Sequence, residues 1–446
     1  MSRLKLAILP TFLFLCLILG GSSRGVVANA VLQVAATLIL AWALLSGDPP
    51  AMTSAARRLL LIVAAVGLLF VVQLLPLPPA MWTALPGRDF LVRGYALLGM
   101  PQPWMPLSLS PYDTMASALT LLPPLALFLA MLRLRSWRAE HMFLGLLGGT
   151  GVSILLGILQ VRSGVGWYFY DITNRGVAVG AFANANHFAT LLLIAIPVFC
   201  AVAVDRWREW EGVESRPLAV VVSAVGLAFL LAGILMCRSA AFLLLGPPVV
   251  AATVLMAFRL KPKRMGQGLV AVALLVVLAG SALVFAGDRI PGWGTSASVE
   301  TRKQYWATSV DAAQGQALTG WGFGAFQQAY RRYEDASAVD RFYVNHAHND
   351  YAEIAVEGGI PALLLVLVFL GWWVAQSWSA WKSPGTMLAQ KAASIASAAM
   401  LMHSFFDFPL RTAAISACLA VCLALLAGAR GATKLREEDR PRHATL

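Results

Sequence analysis

The sequence predicts an all-α polytopic membrane protein of about 12 transmembrane helices, with one large, partly helical loop outside the bilayer. Hydrophobic residues make up 59% of the 446 and charged residues only 13%. The mean hydropathy is +0.72, an apolar surplus that a water-soluble core has no room to bury. Apolar runs of about 17–25 residues recur along the chain, each long enough as a helix to cross a hydrocarbon core roughly 30 Å thick. The alternating ten-residue strands of a membrane barrel are absent from the sequence.

Taken in order, the runs are 6–22, 26–46, 59–79, 112–132, 141–161, 185–204, 217–236, 239–258, 266–286, 353–376, 388–407 and 409–428. The first follows Met-Ser-Arg-Leu-Lys and has a signal-peptide reading, with Ala28-Asn29-Ala30 as a cleavage site. The stretch before that site is longer than a signal core, and the charges alternate properly only if the run stays, so it is read as the first span. Three connecting segments exceed simple connectors. Residues 80–111, rich in Pro and Trp, suit the membrane interface, and 162–186 form the second. The third, 287–349, holds an amphipathic helix around Glu300–Ala313, a turn at Gly320-Trp321-Gly322-Phe323-Gly324 and a second helix over Ala325–Glu334. Its aromatics, among them Trp293, Tyr305, Trp306, Trp321, Phe323 and Tyr330, predict a folded cap. The chain thus divides into nine helices over 1–286, the loop 287–349, three helices over 350–428 and a basic tail over 429–446.

The net charge of +12 does not point to nucleic acid, because the basic residues are scattered in short clusters beside apolar runs and form no single stripe. With the N-terminus in the cytoplasm, the inside segments hold Arg57, Arg58, Arg133, Arg135, Arg138, Arg206, Arg208, Lys263 and the tail, and carry most of the 34 Lys and Arg. The positive-inside rule then predicts both termini in the cytoplasm. The five cysteines lie in or at the ends of apolar runs with no CxxC pair, and read as small core residues.

The densest polar cluster is Asn345-His346-Ala347-His348-Asn349-Asp350-Tyr351, directly before an apolar run and therefore at the membrane–water boundary. Asn349 or Asp350 can cap the helix that follows. His346 and His348 point the same way in extended chain, as metal ligands do, with His187, Asp350 and Glu353 as candidates for a third ligand. A satisfied capping cluster and a catalytic histidine are the other readings of the same residues. Arg238, in Cys237-Arg238-Ser239, separates two apolar runs. It is either a snorkelling side chain at a helix end or a phosphate ligand, since a guanidinium forms two-pronged bonds to phosphate oxygens. Arg175 and Arg302 add positive charge. Together with Arg238 and His348 they make a cationic outer pocket beside a base, which suits a lipid-linked phosphate or diphosphate. His403 and Asp407 stand i, i+4 on one helix face with Arg411 beyond, as a bridge between helices or as part of the site. No P-loop, Rossmann glycine pattern or HExxH motif is present, and the Gly320–Gly324 string lacks the Lys-Ser/Thr of a phosphate loop.

These motifs resemble the O-antigen ligase and polymerase superfamily of bacterial glycosyltransferases. In that family a His-Asn (or Ser or Gln) pair is followed by nine residues and then Gly-x-x-Gly at the start of a transmembrane helix. Here His348-Asn349 precedes residues 350–358 and then Gly359-Ile360-Pro361-Ala362, with alanine in place of the last glycine. The segment Gly180-Ala181-Phe182-Ala183-Asn184-Ala185-Asn186 is similar to the family's Gly-x-Phe-x-Asn-x-Asn stretch. Arg238-Ser239, Arg302 with Trp306, and the turn at Gly320–Gly324 extend the likeness over roughly 170–412.

The resemblance implies transfer of a glycan from undecaprenyl diphosphate to an acceptor hydroxyl of a lipid A core or of another lipid-linked repeat unit. The reaction would invert the anomeric carbon on the periplasmic face of the inner membrane, in lipopolysaccharide or exopolysaccharide synthesis, with no cofactor and no metal. His348 would be the base, and Arg238 with Arg175 or Arg302 would hold the diphosphate. Asn184, Asn186, His346, Asn349, Asp350, His403 and Asp407 would support them. Its partners are the lipid-linked donor, the acceptor, membrane lipids and a separate chain-length regulator. A protein O-oligosaccharyltransferase is a further branch. A secondary transporter of a small, bicarbonate-like solute is a different class, which expects a midplane site and a repeat between halves that the sequence does not display.

Overall fold

A chain surrounded by lipid has no water for its backbone N–H and C=O groups, so each apolar run that enters the bilayer must bond them internally as a helix. The computed structural model describes residues 3–23, 26–47, 49–163, 166–171, 173–209, 216–258, 295–339, 343–383 and 386–431. Its helices are α1 (Arg3–Leu19), α2 (Val27–Leu45), α3 (Ser54–Leu74), α4 (Pro79–Trp82), α5 (Asp89–Leu97), α6 (Pro111–Thr120), α7 (Leu122–Arg133), α8 (Ala139–Ser163), α9 (Ala185–Glu209), α10 (Arg216–Cys237), α11 (Ala240–Ala257), α12 (Thr295–Gly315), α13 (Phe326–Tyr333), α14 (Asp350–Lys382), α15 (Leu388–His403) and α16 (Ala413–Leu426). The only described strands are the two-residue pair β1 (Pro76–Leu77) and β2 (Met105–Pro106), which are antiparallel. Eight helical segments are long and apolar enough to cross a membrane, the α6–α7 stretch counting as one, and α1 and α16 are shorter apolar helices. The protein is an all-α polytopic membrane protein. The run 266–286, Trp293 and most of the basic tail lie outside the described residues, so the number twelve is an expectation only.

Three boundaries differ from the sequence reading. The run expected at 59–79 is the helix Ser54–Leu74: the Thr53 hydroxyl accepts the Ala56 N–H and starts it early, and Pro76 stops it. The run expected at 112–132 is split at Leu121, just before Pro123 and Pro124. The run expected at 388–407 ends at His403, because Pro409 allows no continuous helix into α16. His403 and Asp407 therefore do not share a helix face; Asp407 sits in the turn beyond.

The helix α9 runs through the centre of the bundle, with Leu191–Ala195 buried without exception. Around it pack α8, α10, α11 and α15, and α1 and α16 close the same core. The long apolar helices each have one end near the polar cluster and the other near the basic loops. At the cluster end lie the starts of α2, α9, α14 and α16 and the ends of α1, α3, α8 and α15. Arg57, Arg58, Arg133, Arg138, Arg206 and Arg208 lie at the other end, where Arg133 donates to Ala43 O at 2.8 Å and Arg206 pairs with Glu140.

The large loop docks on a break in α14. At Gly359 the backbone has φ 60° and ψ −157°, a region open essentially to glycine. Pro361 has no N–H for the carbonyl of Glu357, and Ile360 N donates sideways to Ala317 O at 2.8 Å. The freed carbonyls of Val356 and Glu357 accept Trp321 N–H and Gly322 N–H, both at 2.9 Å. Gln73 of α3 donates to Glu357 O and accepts Phe323 N–H, each at 3.0 Å. The glycine turn is thus a plug for a broken transmembrane helix. Beyond it, Trp321, Phe326 and Tyr330 form a small core with Ala347, Ala352 and Val356, whereas Trp306, expected in the cap, is exposed.

A Cβ at Gly359 would lie 2.5 Å from Ala317 O. Gly359→Ala is expected to destabilise the detergent-purified protein by about 2 kcal/mol or more. Gly371→Ala, in the same helix with nothing within 4 Å, should leave the thermal midpoint unchanged.

Candidate functional site

The polar residues at the cluster end meet around one carboxylate. Asp407 is completely buried, and its Oδ1 lies 3.3 Å from His348 Nδ1 and 3.7 Å from His187 Nε2. Asn186 Nδ2 donates to its Oδ2 at 2.6 Å, and Phe408 N–H donates to Oδ1 at 2.9 Å. Burial by itself raises the Asp407 carboxyl, but in this interhelical turn the close approach of His187 and His348 outweighs it and holds the group well below the ordinary carboxylate range. Asn186 is fixed in turn by Ser239 Oγ, which donates to its Oδ1 at 2.8 Å. The Asn186 N–H donates to Asn184 Oδ1 at 2.8 Å. Thr190 Oγ1 donates to Asn186 O at 3.0 Å and meets His403 Nδ1 at 2.7 Å. The Gly180–His187 segment, the Cys237–Ser239 turn, His348 and the α15–α16 turn are thereby one cluster.

His348 is one quarter exposed at its side chain. With Nδ1 turned to Asp407, the other ring nitrogen is left for an incoming group. Tyr305 of α12 stacks on the imidazole at 5.7 Å, and Phe408 meets it edge-on at 5.0 Å. Among the described non-glycine residues, only Arg238 and His348 have positive φ, at 45° and 50°. Such a conformation costs roughly 1 kcal/mol or more and persists where the surroundings over-determine it.

His346 and His348 do not face one site. His346 Nδ1 lies 2.7 Å from Glu353 Oε1, its Nε2 meets Ser23 Oγ at 3.1 Å, and its ring packs on Phe408 at 4.1 Å. The turn at His348 separates the two rings, so the extended-chain expectation for a shared metal does not hold. Asn349 is the helix cap: its Oδ1 accepts Tyr351 N–H and Ala352 N–H, both at 3.0 Å, and its Nδ2 donates to Phe405 O. Asp350 accepts Ser404 Oγ at 2.7 Å.

Beside this lies a charge network that sequence reasoning missed. Arg411 reaches Glu357 at 2.9 Å, Glu353 at 3.5 Å and Asp350 at 3.6 Å. The three carboxylates are spaced i, i+3 and i+7 along the first two turns of α14, and that face of acids inside an apolar run, with Arg411 as the nearest unassigned cation, was the available signal. The network, with His346, forms one wall of a cavity of about 1030 Å³ whose other walls are α2, α3, α6 and the loop residues Phe323, Phe326 and Tyr343. His187, a metal-ligand candidate by sequence, lies beside Asp407 instead, and the stacking of Tyr305 on His348 has no signal in the sequence.

Of the expected cations, Arg302 on α12 is close enough to His403 for their charges to interact. Arg238 is exposed in its turn, and Arg175 is exposed on the loop before α9. The structure therefore brings Arg302 and His348 to the Asp407 cluster, holds Arg238 beside it through Ser239, and leaves Arg175 at the surface.

A polytopic helical membrane protein with a histidine–carboxylate cluster at one end of its bundle is the class that fold and site define. Residues 224–367 match the family model described as O-antigen ligase. That match, confined to residues 224–367, supports a likeness to the O-antigen ligase and polymerase superfamily. No curated protein matches the chain.

Removing Arg411 would leave three buried carboxylates without their shared cation. Arg411→Gln is expected to cost about 3–5 kcal/mol, read as the thermal midpoint in detergent. Asn349→Ala should cost only about 1 kcal/mol as a lost cap, and Asn349→Asp should retain most of it.

Proposed function

We propose that the protein transfers a glycan from undecaprenyl diphosphate to an acceptor hydroxyl, of a lipid A core or of another lipid-linked repeat unit, at the periplasmic end of the bundle. The observation that carries this reading is the pairing of His348 Nδ1 with the buried Asp407 carboxylate, beside Arg302 and inside a chain similar to the O-antigen ligase family. The gathering of arginines at the opposite end supports a cytoplasmic position for that end, and so a periplasmic one for the cluster.

The chemistry follows from the geometry. His348 accepts the acceptor's hydroxyl proton on its free ring nitrogen. Asp407 holds the imidazole in the tautomer with Nδ1 protonated and stabilises the imidazolium that forms. The acceptor oxygen bonds to the anomeric carbon from the face opposite the diphosphate, and the anomeric carbon–oxygen bond breaks with its electron pair going to the phosphate oxygen. The product is inverted at that carbon. Arg302 and Arg238 stabilise the charge that develops on the departing diphosphate. Diphosphate is already a good leaving group, so the residues supply a base and cations, and no cofactor enters the scheme. A carrier with a site at the membrane midplane finds no support in a polar cluster that sits at one end.

Deleting the gene should cause lipid-linked precursor to accumulate and surface glycan to change on a gel. His348→Ala and Asp407→Asn, each checked for presence in the membrane, should lower transfer by about 10²–10⁴-fold, and Arg238→Ala or Arg302→Ala should fail to restore the glycan. Unligated polymer in the deletion strain identifies a ligase, and single repeat units identify a polymerase. Unchanged glycans with lost uptake of a small solute would overturn the reading.

A further inference from the structure

At the end of the bundle opposite the histidine cluster, α1 and α8 run side by side with their N-termini together. They touch where Gly145 faces Pro10; a Cβ at Gly145 would lie 2.6 Å from the Pro10 carbonyl oxygen. Beside that contact the two helices line a groove of about 650 Å³, within the size range of small-molecule sites. One face of α1, through Leu6, Pro10 and Phe14, and Leu144 of α8 make its apolar walls. At its mouth stand Arg138 and His141. The Nε of Arg138 is buried and has no hydrogen-bond partner among the described residues. The nearest acid in sequence, Glu140, pairs with Arg206 across the loop. Among the described residues, this guanidinium keeps an unused, desolvated donor at the mouth of an apolar groove. Exposed Leu144 and Thr11 open the groove to the surrounding lipid.

We infer that this groove binds an anionic phospholipid, with its headgroup phosphate on Arg138 and His141 and one acyl chain along Leu6, Pro10, Phe14 and Leu144. A guanidinium takes phosphate oxygens through two parallel donors, and basic pockets between transmembrane helices select acidic headgroups. A zwitterionic lipid offers the same tail and phosphate, but its ammonium group meets the cations at the mouth. A free phosphate offers the charge and forfeits the apolar walls. The groove lies far from Asp407, and the inference rests on no part of the glycan-transfer reading.

The test uses the full chain, purified and stripped of lipid, with phosphatidylglycerol, phosphatidylcholine or inorganic phosphate added. Native mass spectrometry and the thermal midpoint are read together. Phosphatidylglycerol is expected to leave a one-to-one adduct and raise the midpoint, with phosphatidylcholine and inorganic phosphate doing neither. Arg138→Gln should weaken the adduct by about tenfold or more. Leu144→Trp, which fills the groove and keeps the charge, should also remove it, whereas Arg57→Gln, on α3 at the same end, should not. Equal binding of the two lipids, equal stabilisation by inorganic phosphate, or an adduct that survives both Arg138→Gln and Leu144→Trp overturns the inference.

Discussion

A carboxylate shut away from solvent must collect donors or lose its charge, and in this protein that requirement organises the whole cluster end of the bundle. Asp407 is met by Asn186, by the Phe408 N–H and by two histidines. Those partners come from the start of α9, from the loop before α14 and from the α15–α16 turn. Meeting the demand of one side chain therefore draws three separate parts of the chain together. Ser239 adds a fourth through Asn186. The same carboxylate leaves His348 with one ring nitrogen engaged and the other available, so the structural requirement and the proposed chemistry are served by a single group.

A second constraint acts on α14. Breaking a helix inside a bilayer exposes carbonyls that lipid cannot satisfy. Gly359 and Pro361 make the break, and the turn at Gly320–Gly324 with Gln73 supplies the missing donors. The loop is consequently an integral part of the membrane domain, and its attachment fixes where α12 lies. Tyr305 on α12 covers His348, and Arg302, one turn earlier, approaches His403. Alanine at 362, where the family's motif has glycine, is buried beside Phe70 and Phe323. The conformational demand of this segment falls on Gly359, and that glycine is present.

The two ends of the bundle thus differ in kind. One gathers buried acids, histidines and amides whose partners lie far apart in sequence. The other gathers arginines close to helix ends, with Arg133 bonded to a carbonyl and Arg206 to Glu140. Arg138 belongs to the second group by position and differs from it in that its buried Nε, beside a groove, has no hydrogen-bond partner among the described residues.

The sequence by itself determined the class of fold, because hydrophobic run length is a local property that a helix reads directly. It also marked His348, Arg238 and the glycine turn, each of which stands out against an apolar background. It misplaced the end of α15, and with it Asp407, because composition does not register where Pro409 and a buried carboxylate end a helix. Only the tertiary structure decided that Asp407 is shared by two histidines, that Asn349 is a cap, that Arg411 neutralises three acids, and that Arg175 stays at the surface. Those facts depend on which helix ends are neighbours. Long-range polar contacts between single residues leave no periodic trace in a chain whose dominant signal is the hydrophobic run.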